Sequence, residues 1–273
     1  MNWTFTDDLG VFSGAAEAWL RRDPVRNTVP LTVLDRLRHG LWGDDRMLGW
    51  LTDGGEVGGA VMHTPPHALL LGDIPLGSVP SLTEAVRDRD FPGVSGPLAQ
   101  SSAFASASGR RETGRASQRL YRLETLLSPS STGTARTARD GDVELVARWM
   151  RAFSEEAEPG ASHDDPLPQA KLRVEQGELV LWEDGGQPVA MAGFSRPITG
   201  MSRIGPVYTP PGLRGRGYGS TVTHAATRVA EEAGAGLLLL FTDLANPTSN
   251  SIYQALGYRP VADYASISLA PRS

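Results

Sequence analysis

The sequence predicts an α/β (α+β) protein of two units in tandem, each a mixed, mostly antiparallel sheet flanked by helices. Three observations carry that expectation. The 273 residues are enough for two compact units of roughly 130 residues each. The stretch from Ser128 to Gly141, SPSSTGTARTARDG, is rich in Ser, Thr and Gly, which places a boundary near residue 132. Leu48 to Pro66 (LGWLTDGGEVGGAVMHTPP) also aligns without gaps on Leu179 to Pro197 (LVLWEDGGQPVAMAGFSRP), Asp-Gly-Gly turn included. A helical stretch, Leu31 to Leu41, precedes the first copy and supports a duplicated unit. The expected domains are 1–132 and 133–273.

In the second unit Thr134 to Ala138 opens as a strand. Asp142 to Phe153 places apolar residues at 143, 145, 146, 149, 150 and 153, the spacing of a helix with Asp142 as N-cap. Gly160 to Pro168 is a polar loop, and a short helix follows over about 169–176. Leu179 to Glu183 and Val189 to Ser195 are strands around Asp184-Gly185-Gly186, residues that tolerate positive φ. Ile204 to Tyr208 is a third strand. From Tyr218 to Ala233, Val222, Ala225, Ala226, Val229, Ala230 and Ala233 form one helical stripe of mostly small side chains, which lets a helix axis lie close to a sheet. Gly234 ends that helix, and Leu237 to Thr242 is a buried strand. Asn246 to Leu256 is a helix ended by Gly257, with strand material at 258–261 and 264–269. A helix between the strands ending near 208 and 242 gives the sheet one central parallel crossover.

Composition removes several function classes. Without cysteine there are no disulfides, zinc–thiolate sites or cysteine nucleophile. Lys171 is the single lysine, so Schiff-base or P-loop chemistry would have to use it. A net charge of −5 argues against a nucleic-acid partner. Met1 to Gly10 lacks the basic and apolar regions of a secretory signal, and no apolar run approaches the ~18 residues of a membrane span. A cytoplasmic protein, monomer or homodimer, with no membrane partner, is expected.

The chemistry concentrates in Val207-Tyr-Thr-Pro-Pro-Gly-Leu-Arg-Gly-Arg-Gly-Tyr-Gly-Ser220. A strand ends, a proline-marked turn follows, and glycines lead into a helix. Glycine lets the main chain approach a ligand closely. The first helical N–H groups have no internal acceptor, and the peptide dipoles put roughly half a positive charge there. Arg214 and Arg216 can add charge-assisted contacts to phosphate. A Rossmann dinucleotide loop is the competing interpretation, and Asp243 lies near the acidic position it wants. The hairpin strands ahead of the loop oppose it, because they make an antiparallel sheet.

These residues resemble the GCN5-related N-acetyltransferases (GNAT), in particular the FR47-like branch. The family signature Arg/Gln-x-x-Gly-x-Gly/Ala is met by Arg214, Gly217 and Gly219 between a strand and a helix. A second signature is met by Asn246, Ser249, Tyr253 and the Gly257-Tyr258 pair. The resemblance covers about 133–270 and implies tandem GNAT-like units. Residues 1–132 would be a degenerate GNAT-like N-terminal domain without the glycine loop, and 133–273 the catalytic N-acetyltransferase domain.

The resemblance implies that acetyl-CoA is the co-substrate, with no metal, and that an amine is the acceptor. Arg214, Gly215, Arg216, Gly217, Tyr218, Gly219 and Ser220 would cradle the pyrophosphate. Val207 and Tyr208 would meet the pantetheine arm through their main chain, Asn246 would contact it, and Tyr253 would protonate the departing thiolate. Plainer roles stand beside these. Asn246 before Pro247 is also a good helix start, Tyr253 could only pack, Arg216 could only be solvated, and Tyr218 could only anchor its helix. For the general base, Glu155, Glu156, Glu158, His163, Asp164 and His224 compete with a water relay. The alternative function is a non-catalytic acyl-CoA-binding sensor or interaction module.

Overall fold

The computed structural model describes residues 1–42, 45–157 and 165–272. The chain packs as two compact units, one of Met1–Arg119 with Ala262–Ser273 and one of Leu120–Val261.

The first unit runs β1 (Asn2–Thr6), α1 (Leu9–Arg22), α2 (Thr28–Arg38), β2 (Met47–Asp53), β3 (Glu56–His63), β4 (Leu69–Leu71), α3 (Val79–Ala85), β5 (Gly93–Pro97) and α4 (Leu98–Ala107). β6 (Glu112–Leu123) then leads into the second unit. Strands β1 to β4 pair antiparallel in sequence order, and β4 pairs parallel with β5. The core joins Leu51, Val61, Leu69, Leu82, Phe91, Val94 and Phe104.

The second unit repeats the order: β7 (Thr134–Thr137), α5 (Val143–Ala157), α6 (Leu167–Glu175), β8 (Leu179–Asp184), β9 (Gln187–Phe194), β10 (Met201–Tyr208), α7 (Tyr218–Glu232), β11 (Leu237–Asp243), α8 (Pro247–Ala255) and β12 (Tyr258–Leu269). Strands β7 to β10 are antiparallel neighbours, and β10 pairs parallel with β11. The tandem arrangement is thus explicit in the element order of the two halves.

Strand periodicity partitions the second core. Successive side chains of a strand face opposite sides. Val180, Ala190, Ala192 and Phe194 accordingly pack with Val222, Ala226 and Ala230 of α7. Leu179, Leu181 and Met191 pack with Val146, Ala147 and Met150 of α5. The small residues at 222, 226 and 230 are fully buried, as the stripe requires, whereas Ala233 at its far end is exposed.

Two expectations are corrected. The compact units do not divide near 132. Tyr121 is buried in the second core, and the amides of Glu124 and Leu127 donate to the carbonyls of Gly257 and Leu256. Residues 120–132 therefore belong to the second unit. At the other end, Tyr264 to Ser268 pair antiparallel with Pro97 to Gly93, so the last strand is shared between the units. Asp142 also does not cap α5. It ends a 3₁₀ turn, Asp140–Asp142, and its carboxylate accepts from the Arg139 N–H (2.8 Å) and both terminal nitrogens of Arg136. Those bonds hold Asp142 below the usual carboxylate range, partly offset by burial. The expected loop from Gly160 lies partly outside the described residues, 158–164 being undescribed.

Candidate active site

The centre of the second unit is the parallel pair β10–β11. Its pairing runs from Met201 with Leu237 to Ile204 with Leu240. Both strands continue, to Tyr208 and Asp243, without further mutual pairing among the described residues. The cause sits on the other edge of β10. Its register against β9 shifts between Ile204 and Val207, and such a bulge bends a strand away from its neighbour. Val207 and Tyr208 still pair with Ala192 and Met191. Main-chain groups alternate between the two edges of a strand, so one of these two residues turns its N–H and C=O toward the open side.

The loop follows directly. A 3₁₀ turn over Pro211–Leu213 leads to Gly215 (φ 77°) and Gly217 (φ 82°). Gly217 is the N-cap of α7, and no side chain among the described residues caps that helix. The first intrahelical bond is Thr221 N–H to Gly217 O, 3.1 Å, so the amides of Tyr218, Gly219 and Ser220 precede the ladder. The helix start thus keeps the donors and the positive dipole end that an anion needs. No described atom lies near the pro-side-chain face of Gly215, and Thr209 Oγ1 stands 3.6 Å from where a Cβ on Gly219 would be.

Neighbouring side chains brace this start. Tyr218 is buried, and its hydroxyl donates to Asp184 of the β8–β9 turn. The Thr132 hydroxyl donates to the same carboxylate (2.8 Å), and Trp182 Nε1 donates to Thr132 O (2.8 Å). Ser131 Oγ reaches Thr221 Oγ1 at 3.2 Å. These donors lower the Asp184 pKa, the Tyr218 hydroxyl most. Tyr218 therefore serves as an aromatic anchor through its side chain while its amide remains at the helix start.

Arg214 turns elsewhere. Its Nε donates to Thr209 O (2.8 Å), its Nη2 donates to both oxygens of Glu156 (2.8 and 2.7 Å), and its guanidinium lies 5.8 Å from the Tyr208 ring centroid. The Tyr208 hydroxyl points to Glu156 Oε1 at 3.4 Å. Burial, then the Glu156 charge, raises the Tyr208 pKa. Arg216 is exposed.

At the opposite strand end Asn246 is the N-cap of α8, its Oδ1 accepting from the Ser249 N–H (3.0 Å). Helix capping is thus a role it performs, and its Nδ2 makes no hydrogen bond to a described residue. Tyr253 is buried in the same cluster as Tyr218, with Val207 packed against it, and its ring meets Tyr258 edge-on at 6.4 Å. Its hydroxyl bonds to no described residue, and burial pushes its pKa up to about 12. A phenol in that state stays protonated at neutral pH and can act as a donor, not a base.

Among the base candidates, Glu156 is engaged by Arg214 and His224 Nε2 lies 3.4 Å from Ser128 Oγ, its pKa lowered mainly by burial. Glu155 lies at the end of α5. Glu158, His163 and Asp164 lie outside the described residues. Sequence reasoning misses Tyr121, Asn250 and Gln254. Tyr121 donates to Asn250 Oδ1 (2.8 Å) and accepts from Gln254 Nε2 (3.2 Å). Partners more than a hundred residues apart leave no local signal, although Asn250 one turn past Asn246 is a visible polar residue.

A mixed sheet whose central parallel pair parts beside a glycine-led helix is the arrangement that the resemblance to acyltransferases implies. Residues 143–258 match the model of the acetyltransferase (GNAT) family. The second unit, which holds these residues, belongs to the GCN5-related N-acetyltransferase superfamily. It is similar to the mycothiol acetyltransferase of Beutenbergia cavernae, 29% identical over 154 residues. That match takes in 51% of this chain and 50% of the relative, so it spans about half that protein's length. Among solved structures, a GNAT-family acetyltransferase from Colwellia psychrerythraea has 14% identity and a TM-score of 0.64, covering 99% of this chain and 100% of its own. A tandem GNAT protein from the clavulanic acid biosynthesis pathway has 13% identity and a TM-score of 0.58, with 99% and 98% covered. At such identities the likeness speaks for the fold. Among the described residues no helix is long and apolar enough to cross a membrane.

Proposed function

We propose that the second unit binds acetyl-CoA and transfers its acetyl group to a primary amine, and that the first unit is a degenerate copy without this activity. One observation carries the proposal: the parted end of β10–β11 and the uncapped start of α7 adjoin in a domain that also keeps a buried phenol at Tyr253. The amides from Arg214 to Ser220 would hold the pyrophosphate, and the open edge at Val207 and Tyr208 would pair with the pantetheine arm, beside Asn246.

The neutral amine attacks the thioester carbonyl, a C–N bond forms, and the C–S bond breaks as the tetrahedral species collapses. A main-chain N–H at the end of β10 is suited to the developing oxyanion. The Tyr253 hydroxyl supplies the proton that the leaving thiolate takes up. An alkylamine is charged at neutral pH, and with Glu156 tied to Arg214, a water relay to solvent is the simplest route for its proton. The relative's name makes small amines the first acceptors to try.

The test is calorimetry with acetyl-CoA, followed by thiol release across a panel of primary amines. Binding with amine-dependent thiol release is the expected result. No association with acetyl-CoA would overturn the proposal, and binding without turnover on any amine would leave a sensor of acyl-CoA instead.

A further inference from the structure

We propose that Asn250 is a positioning residue that sets the angle at which α8 leaves β11, and so places Asn246 and Tyr253 at the parted strands. The proposal rests on the function given above. α8 is nine residues long, begins with a proline, and buries one side chain, Tyr253. So short a helix has little intrinsic persistence, so its direction must come from tertiary contacts. Asn250 supplies two, to β11 and β6, and adds a bond within the first turn of α8. Its Nδ2 donates to Asp243 O at the end of β11 (2.8 Å) and to Asn246 O, the N-cap carbonyl (2.7 Å). Its Oδ1 accepts from the Tyr121 hydroxyl (2.8 Å), and Tyr121 is buried in the sheet core.

A carboxamide has two N–H donors, and both are used here, while its oxygen is taken by a buried phenol. Asn250 therefore has no donor left for a ligand and acts through the residues it fixes. Gln254, one turn on, donates to the same Tyr121 hydroxyl (3.2 Å). The strand end, the helix start and the turn that bears Tyr253 are tied to one point. A reacting group displaced by about 1 Å can cost a hundredfold in rate, and this tie governs a displacement of that kind.

The experiment compares Asn250→Leu, Tyr121→Phe and, as a control on the exposed face of α8, Thr248→Ala. Asn250→Leu should lower kcat on the order of tenfold or more while the KM for acetyl-CoA moves much less. Tyr121→Phe, which leaves both carbonyl bonds, should lower kcat a few-fold, and Thr248→Ala should match the parent. Amide hydrogen exchange on the unliganded protein supplies a readout independent of activity: α8 amides should exchange faster in Asn250→Leu, with the β8–β9 hairpin unchanged. If the parent transfers acetyl groups and Asn250→Leu keeps its kcat, the proposal is wrong. If the parent shows no transfer, the proposed function fails, and exchange alone then decides: faster exchange confined to α8 supports the tie, and unchanged exchange overturns it.

Discussion

The two hairpins that open the halves of this molecule are the same object, and the segments after them are not. Leu48 pairs with Met62 in the first and Leu179 with Gly193 in the second, and both registers slip at the same place, between Leu51 and Thr52 and between Trp182 and Glu183. After the third strand the halves part. Neither following helix start has a side-chain cap, but the second half has a left-handed glycine as N-cap of the fifteen-residue α7. The first has the seven-residue α3 with proline in its first turn, and the chain ahead of it is fastened by its own side chains. Asn27 Oδ1 takes the Asp73 amide, and Gln100 donates to Asp73 Oδ1 and Ile74 O. The difference teaches that the same sheet serves both halves as a scaffold, and that the proposed anion-binding device is confined to the segment between one strand and one helix.

The largest effect expected concerns the phenol. Counted from the helix N-caps Pro97 and Asn246, the same position is Phe104 in α4 and Tyr253 in α8. The first half thus already contains the Tyr→Phe change. Tyr253→Phe should lower kcat by about a hundredfold, the usual contribution of a positioned acid, with acetyl-CoA affinity nearly unchanged by calorimetry. Because burial raises the phenol to about 12, the parent's rate should show no loss from this group below about pH 11. An undiminished kcat would make the two aromatic positions equivalent and remove Tyr253 from the mechanism.

A smaller effect is expected at the glycine. Gly217 has φ of 82°, and a Cβ there would stand an ordinary 3.5 Å from Ser130 O and Ser131 Cβ. The obstacle to a side chain is torsional, of about 1–2 kcal/mol for an L-residue and more for a branched one. Gly217→Val should weaken acetyl-CoA binding about tenfold or more. Gly77→Ala, in the turn ahead of α3 with open space around it, should leave binding as it was. Equal losses at both positions would mean that the loops do not differ in the way described.

Much of this is readable from residue patterns. The hairpin, the glycine loop, the small-residue stripe of α7 and the second motif are all local, and local spacing encodes them. The features that escape are non-local. Nothing around Tyr264 says that it pairs with Pro97, so the sharing of β12 between units is invisible in the sequence, and the linker attracts the boundary. Tyr121 and Asn250 meet only once β6 and α8 are folded. Arg214 has the spacing of a phosphate ligand, yet its partner Glu156 lies at the far end of a helix before the sheet, where sequence proximity offers no hint. Asp142 reads as a helix cap because its competing partner, Arg136, looks from its neighbours like nothing more than a strand residue.

The smallest predicted effect separates two aspartates that occupy the same place in the repeated turn. Asp53 touches the chain amino group at 3.5 Å, with both partners largely solvated, an arrangement that contributes little. Asp184 accepts from Thr132 and from the buried Tyr218 at the start of α7. Asp184→Ala should lower the thermal midpoint by a few degrees and Asp53→Ala should not. The pH dependence checks the cause. These bonds depress the folded-state pKa of Asp184, so its contribution is present above the ordinary carboxylate value near 3.8 and is lost as pH falls through the lower folded value. The gap between parent and Asp184→Ala should therefore be constant near neutrality and close in acid. A gap that persists below that range would show that packing of the turn, not the charged acceptor, distinguishes the second half from the first.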